Sequence, residues 1–388
     1  MFLAKLANFW RKKFSRQLET FNLIEISRSA ILHNFDLFQS FLPQGEIWPV
    51  LKANAYGHGL EPVAEILKAR NFTYFVVDSY YEALKIWQVN PHKVLLIGQA
   101  PWSNYQFFDF SKLAVVVYRL EVLRILGKLN KPIKVHLKIN TGLNRQGIKV
   151  SEVSQFLDEL KNYPKIDLEG VCSHFISSED STKDYLTRNQ ENLFLQALQI
   201  IRERGFQPKY LHLGNTAGLI KTRNSQLYNA ARLGLGLYGI NPIPSNDPAF
   251  MTLQDLKPAL TFWSTLIHKI NLQKGDGVSY GSTFVADRDM TIGLIPVGYY
   301  EFFSRRLSNR GYVSYQNKFL PLVGNICMNL SMCNLDNADD VQVGDRIKII
   351  SPKPEDLNSV YHIANLNETI TYEVLVKLAE SLRRVIVP

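Results

Sequence analysis

At 388 residues, with 46% hydrophobic and 20% charged positions, the chain is too long for one ordinary domain, about right for two, and too apolar for a disordered one. No apolar stretch approaches the ~20 residues of a membrane span, which argues against a transmembrane helix. Three cysteines, Cys172, Cys327 and Cys333, lack zinc-type spacing and read as buried thiols of a reducing compartment, which points to the cytoplasm and to no metal.

The net charge of +9 is uneven: Lys5, Arg11, Lys12, Lys13 and Arg16 all precede the first acidic residue, Glu19, and supply five of the nine. The rest of the chain is unexceptional in charge and does not suggest nucleic acid. Over residues 1–18, Phe2, Leu3, Leu6, Phe9, Trp10 and Phe14 fall at helical spacing, so this extension reads as a basic amphipathic helix. It reads first as an extra helix docked on the body or a frayed tail, and second as a membrane-surface anchor. Interrupting charges and the lack of a long apolar core speak against a signal peptide.

From residue 46 onward, short β-rich runs alternate with helical patterns. The runs are 47–53, 73–77, 93–98, 112–118, 133–140, 167–174, 209–214 and 228–234. Between them lie helix candidates such as EPVAEILKAR, YEALKIWQV, VLRILGKL, VSQFLDELKN and LTRNQENLFLQALQIIRER. About eight strand–helix units point to an α/β fold, a (β/α)8 TIM-like barrel over 19–245. A doubly wound sheet competes, but it would need fewer strands and usually a Gly-rich first turn. Past the Pro-rich NPIPSNDP the pattern turns strand-like: LTFWSTLIHKI, MTIGLIPVG, GYVSYQNKFLPLVG, ICMNLSMCNL and DRIKIIS. One helix candidate, NETITYEVLVKLAESL, follows, so residues 246–388 are expected to form a mostly β C-terminal domain.

Barrel active sites sit at the C-terminal ends of the strands. Those ends carry Lys52, Lys138, Asn140, Arg145, His174, His212, Asn215, Thr216, Arg232 and Gly234. Lys52 arrives through the apolar WPVL, where a Schiff-base amine can be kept dry, and Tyr56, Gly57, His58 and Gly59 follow as a tight turn. Asn215 with Thr216, and Gly234 with Leu235, open loops whose N–H groups suit a phosphate, though such glycines also serve as plain turn formers. No GxxxxGK run supports a nucleoside triphosphate. A single phosphate beside a Schiff-base lysine suggests pyridoxal 5'-phosphate (PLP). Arg232, a cation that does not give up its proton, would leave a facing pyridine nitrogen unprotonated, although a strand arginine equally serves in a buried ion pair. Tyr280, in KGDGVSYGSTF, is by itself one tyrosine among 18.

Together, VLKANAYGHG, KGDGVSYG, VGYYEFFSRRLSN and GNICMN resemble segments of the alanine racemase family of fold-type III PLP enzymes, and the resemblance runs from about residue 20 to the end. It implies racemisation of L- and D-alanine by two bases, supplying D-alanine for peptidoglycan. Lys52 would be the Schiff-base lysine and one base, and Tyr280, from the partner subunit of a homodimer, the other. His174 would orient Tyr280, Arg232 would face the pyridine nitrogen, and His212 would support that network. Tyr56, Asn215, Thr216, Gly234 and Leu235 would surround the phosphate. Arg145 and the backbone of Met328 would hold the substrate carboxylate, Lys138 would be a lysine that is often carbamylated, and Tyr299 would sit at the entrance. Two opposed bases are what inversion at Cα requires.

The chain departs from the family at Asn140 and Asn329, each in place of a usual aspartate, and at Glu301-Phe302, in place of an Asp-Gly pair. Glu380 falls where a tyrosine commonly touches the phosphate. These departures leave open a racemase of another or broader specificity, such as serine. A fold-type III decarboxylase, a non-catalytic PLP carrier and a cofactor-free barrel aldolase fit the residues less well.

Overall fold

The computed structural model describes residues 19–222 and 228–388. The amphipathic extension expected at 1–18 lies outside the described residues. The described chain divides into two compact units: Ile26–Ala259 with Ile386–Pro388, and residues 19–25 with Leu260–Val385.

In the larger unit, six parallel strands form a half-barrel: β3 (Tyr74–Val77), β4 (Lys93–Leu96), β5 (Leu113–Val117), β6 (Ile133–Lys138), β7 (Ile166–Cys172) and β8 (Tyr210–His212), hydrogen-bonded in that order. Two more, β2 (Glu46–Pro49) and β9 (Ala230–Leu233), pair with each other in parallel. Leu51 N–H donates to Val76 O at 2.9 Å beside β3, and Asn229 N–H donates to Leu211 O at 3.0 Å beside β8. Each of the eight expected runs overlaps one of these strands. They read as continuous apolar runs because most are buried on both faces.

Helices cover the strands: α1 (Arg28–Phe41), α2 (Leu60–Ile66), α3 (Tyr80–Val89), α4 (Leu120–Lys128), α5 (Val153–Leu160), α6 (Asp184–Glu203) and α7 (Thr216–Thr222). Ser27 caps α1 through Ala30 N–H, and Ser79 with Glu82 forms a capping box at α3. Between β4 and β5 stands only a 3-10 turn, Trp102–Phe107, entered through Pro101.

The smaller unit is mostly β. One sheet runs β16 (Lys318–Pro321), β15 (Tyr312–Tyr315), β18 (Arg346–Ile350), β10 (Leu260–Thr265), β1 (Leu23–Ser27), β19 (Arg383–Val387). A second is β11 (His268–Leu272), β14 (Met290–Ile295), β17 (Ser331–Asn334), and a hairpin joins β12 (Gly277–Val278) to β13 (Phe284–Val285). Helices α8 (Val360–Leu366) and α9 (Thr371–Val376) complete it.

Three expectations change. LTFWSTLIHKI is two strands, because Thr265 pairs with Arg346 in one sheet and His268 with Leu294 in the other. In ICMNLSMCNL only Ser331–Asn334 is a strand, and the residues before it form a loop. The chain divides at Ala259/Leu260 rather than near 245, because the proline-rich stretch is tied to the larger unit. Lys221 bonds Asp247 at 2.7 Å, Lys257 N–H donates to Asn34 Oδ1 at 2.9 Å, and Ala259 N–H donates to Tyr238 O at 3.1 Å.

Candidate active site

Lys52 stands three residues past β2, and the chain then makes a left-handed turn without glycine. Ala53, Asn54, Ala55 and Tyr56 have φ of 53°, 54°, 52° and 51°. Each such residue costs roughly 1–2 kcal/mol, so the turn persists only because its surroundings over-determine it. Ala53 N–H donates to Glu82 Oε1 at 2.7 Å, and Leu60 N–H donates to Asn54 Oδ1 at 2.9 Å. Ala55 N–H reaches Leu51 O at 2.8 Å, and Gly57 and Gly59 close the turn at positive φ. Glu82 also accepts from Asp78 and Ser79 N–H, so one carboxylate fixes the start of α3 and the backbone beside Lys52.

The ends of β6 to β9 converge on the same region. Buried Lys138 donates to Gln146 Oε1 at 2.8 Å, and burial, the largest cause, brings its ammonium down to about 8; the Cys172 thiol opposes this, and the charges of Arg232, Arg145 and Lys52 add to it. His174 is pushed well below its ordinary value by burial and by Arg232, Lys138, Arg145 and Lys52, so its imidazole is neutral. Arg232 is buried and donates to His212 Nδ1 at 2.7 Å, Ser173 O at 2.6 Å and His174 Nδ1 at 3.2 Å. Four cations thus act on one neutral imidazole. Arg145 itself is exposed, on a loop turned by Asn140, whose Oδ1 accepts from the N–H groups of Gly142 and Asn144 at 3.1 Å each. An aspartate would accept the same two bonds but could not make the donation from Asn140 Nδ2 to Asn144 Oδ1.

The expected phosphate residues are neighbours. A Cβ on Gly234 would stand 3.1 Å from the Tyr56 hydroxyl, which brings the first and last strand ends together. Thr216 Oγ1 accepts from Gly236 N–H at 3.3 Å, and Asn215 Oδ1 accepts from Ser178 Oγ and Gly218 N–H. Leu235 opens a 3-10 turn, Leu235–Tyr238, whose first N–H groups have no acceptor within it.

The remaining expected residues belong to the smaller unit and are open. Tyr280 is 73% exposed, Met328 56% and Tyr299 44%. Asn325 Nδ2 holds Tyr280 O at 2.7 Å, while Tyr299 N–H donates to Cys327 O and Tyr300 N–H to Met328 O. The loops bearing Tyr299 and Met328 are therefore bonded to each other. Glu380 is exposed, and its carbonyl accepts from Arg384.

The alanine racemase N-terminal domain model matches residues 26–242 and the C-terminal domain model matches residues 259–386. The chain belongs to the alanine racemase family. It is 33% identical over 376 residues to an alanine racemase of Lactobacillus acidophilus, covering 93% of this chain and 96% of that protein. It is 32% identical over 374 residues to one of Leptospira interrogans, with 94% and 95% covered. Among solved structures, the alanine racemase of Bacillus anthracis with bound L-Ala-P superposes with a TM-score of 0.88 at 28% identity, covering 96% of each chain. That of Bartonella henselae with covalently bound pyridoxal phosphate has the same fold, with a TM-score of 0.83 at 22% identity over 95% of this chain and 100% of that one. The chain is thus a racemase, an isomerase of amino acids.

Two of the departures expected from the sequence, Glu301 and Asn329, prove to be one contact. Glu301 is buried, and its carboxylate accepts from Asn329 Nδ2 and from Gly298 N–H, both at 2.8 Å. An aspartate at 329 would set two carboxylates against each other there. Phe302 keeps a φ of 143° and is buried against Phe262 and Phe303.

Sequence reasoning missed Glu82 and Gln146, the partners of the lysine turn and of Lys138. Only the capping-box pattern Ser79…Glu82 signalled the first, and nothing local signalled the second.

Proposed function

We propose that this alanine racemase interconverts L- and D-alanine with PLP on Lys52, acting as a homodimer in which Tyr280 of a second copy faces that lysine. Strands β2 to β9 would close into a barrel whose C-terminal rim is the site. What supports the reading is the convergence of Lys52, Lys138, Arg145 and Arg232 on the neutral imidazole of His174. A wholly cationic donor set suits a phosphate dianion and an amino-acid carboxylate. Tyr56, Asn215, Thr216, Gly234 and Leu235 would hold the phosphate, and Gly234 leaves the backbone open where a side chain would crowd Tyr56.

When bound, PLP supplies an electron sink for the pair left on Cα after proton removal. Lys52 Nζ takes or returns the proton on one face and Tyr280 Oη on the other, so exchanging which is protonated reverses direction. His174, accepting from Arg232 at Nδ1, carries its proton on Nε2 and would donate it to Tyr280, stabilising the phenolate. Arg145 and Met328 N–H would fix the carboxylate, with Lys138 and Gln146 bracing that side, and Tyr299 would narrow the entrance. The product would feed the assembly of peptidoglycan, and three free thiols favour a cytoplasmic enzyme.

Incubation of the protein and PLP with L-alanine in deuterated water tests this. D-alanine and α-deuterated alanine should both appear. If neither forms while a diamino acid releases CO₂, the reading fails. L-serine run alongside measures how far the site accepts a second substrate.

A further inference from the structure

The interior of the half-barrel holds ionisable side chains that the proposed chemistry does not use. His136 on β6 and Glu169 on β7 are buried, as is Tyr74 on β3, and Lys134 reaches in from the start of β6. They form one line with the site. Arg232 Nη1 lies 2.7 Å from His212 Nδ1, His212 Nε2 lies 2.8 Å from His136 Nδ1, and His136 Nε2 lies 3.2 Å from Glu169 Oε2. Gly170 makes this possible, because a Cβ there would strike the His136 ring at 2.3 Å.

The order of donors along this line is fixed by chemistry. A guanidinium can only donate, so His212 Nδ1 must be the bare nitrogen. His212 then carries its proton on Nε2, which donates to His136 Nδ1, and His136 in turn donates from Nε2 to the carboxylate. Both rings are neutral, since burial, first among the causes, drives each below its ordinary value. Burial pushes Glu169 up, but bonds from His136, Lys134 and Tyr74 outweigh it and hold its carboxyl at about 2, so it is an anion.

We propose that Glu169 is a positioning residue for racemisation, the terminal acceptor of a one-way chain Arg232→His212→His136→Glu169 that locks both imidazoles as Nε2–H tautomers and so holds the Arg232 guanidinium in aim. This rests on the reading of Arg232 as the neighbour of the cofactor ring. Were either imidazole to flip, two N–H groups or two lone pairs would meet at 2.8 Å in the interior, and Arg232 would lose its acceptor. The ionisable groups facing the two rings are Glu169, Lys134, Tyr74, Tyr210, Lys138 and Arg232.

Imidazole ¹⁵N spectra of the holoenzyme test this, with His136 assigned by a His136→Leu variant. Both rings should be neutral with the proton on Nε2 from pH 6 to 9. Glu169→Gln, whose amide can also donate, should mix the His136 tautomers, since His136 Nε2 then no longer faces an obligate acceptor, and lower kcat by roughly 10–100-fold with KM changed less than twofold. Should that variant not fold, His136→Leu removes the acceptor of His212 and should give the same loss. A wild-type His212 protonated on Nδ1, or a Glu169→Gln enzyme with unchanged tautomers and kcat, overturns the proposal. Wild-type enzyme that lacks racemisation yet shows these tautomers would instead defeat the functional reading alone.

Discussion

The two units carry their functional residues in opposite ways. At the strand ends of the larger unit, Arg232, His212 and Lys138 are buried and bonded, and each charge state is set by neighbours in the same unit. On the smaller unit, Tyr280, Met328 and Tyr299 stand exposed on loops whose backbones are bonded but whose side chains face outward. The first set is finished by its own fold. The second has its backbone bonded and its side chains open to solvent, and the proposed homodimer would use them in another copy of the chain.

That contrast breaks most visibly through mixed subunits. Lys52→Ala should lower racemisation by at least about 10⁴-fold, since it removes both attachment and a base. Borohydride should then no longer fix a PLP-sized mass on the peptide holding residue 52. Tyr280→Phe should lose about 10³-fold yet keep that mass. If Tyr280 works in the other copy, refolding the two inactive variants together gives heterodimers with one intact site, and about a quarter of wild-type activity returns. No recovery would mean that Tyr280 acts within its own chain or not at all.

The buried half of the comparison is sharpened by pH. His136, His174 and His212 lie below their ordinary value of 6.5 in the folded protein. Below about pH 6.5 the unfolded chain therefore binds protons that the folded one refuses, and stability falls as pH falls. Each ring contributes up to about 1.4 kcal/mol per pH unit, so the three together reach about 4. Glu169 acts in a lower window, because its depressed value makes its contribution disappear only as pH drops from its ordinary value toward about 2. Urea midpoints at fixed protein concentration should drop steeply between pH 6.5 and 5, while Tyr280→Phe, exposed, should leave that slope unchanged. A flat profile would mean that the three rings charge in place.

The same difference explains what could be read without coordinates. Eight apolar runs marked eight strands because burial on both faces leaves a continuous hydrophobic signature. The lysine turn was legible as a turn, from Gly57 and Gly59, but not its hand, since Ala53 and Ala55 have no preference for positive φ. The helix Arg28–Phe41 was overlooked because it precedes the alternation, and its buried Asn34, bonded to Leu237 O and Lys257 O, interrupts the apolar stripe. The division at Ala259/Leu260 has no local signal, because prolines mark a turn without saying which body it packs on. His136 and Glu169 were invisible for a related reason. Their partners lie 76 and 33 residues away, and only the parallel register brings them together.

The lysine turn itself gives the next effect. Asn54 both tolerates the left-handed conformation and accepts the Leu60 N–H, so Asn54→Ala should cost about 2 kcal/mol, one part strain and one part a lost bond. Asn54→Gly loses the bond but not the ease of positive φ. It should be less destabilised than the alanine variant in thermal melts, and equal midpoints would mean that the turn is not strained.

The smallest effect is expected at Phe302, the open unit's counterpart of that turn. Its φ of 143° stores roughly 1–3 kcal/mol, which glycine would release. Its ring packs 5.6 Å from Phe262 and 5.5 Å from Phe303, and removing a buried phenylalanine costs about 3–5 kcal/mol. Burial should win narrowly, so Phe302→Gly should be destabilised by about 1–2 kcal/mol. Glu301 and Asn329 stay bonded in that variant, so KM for alanine should hold. A Phe302→Gly protein that melts higher than wild type would show that strain, and not packing, governs this loop.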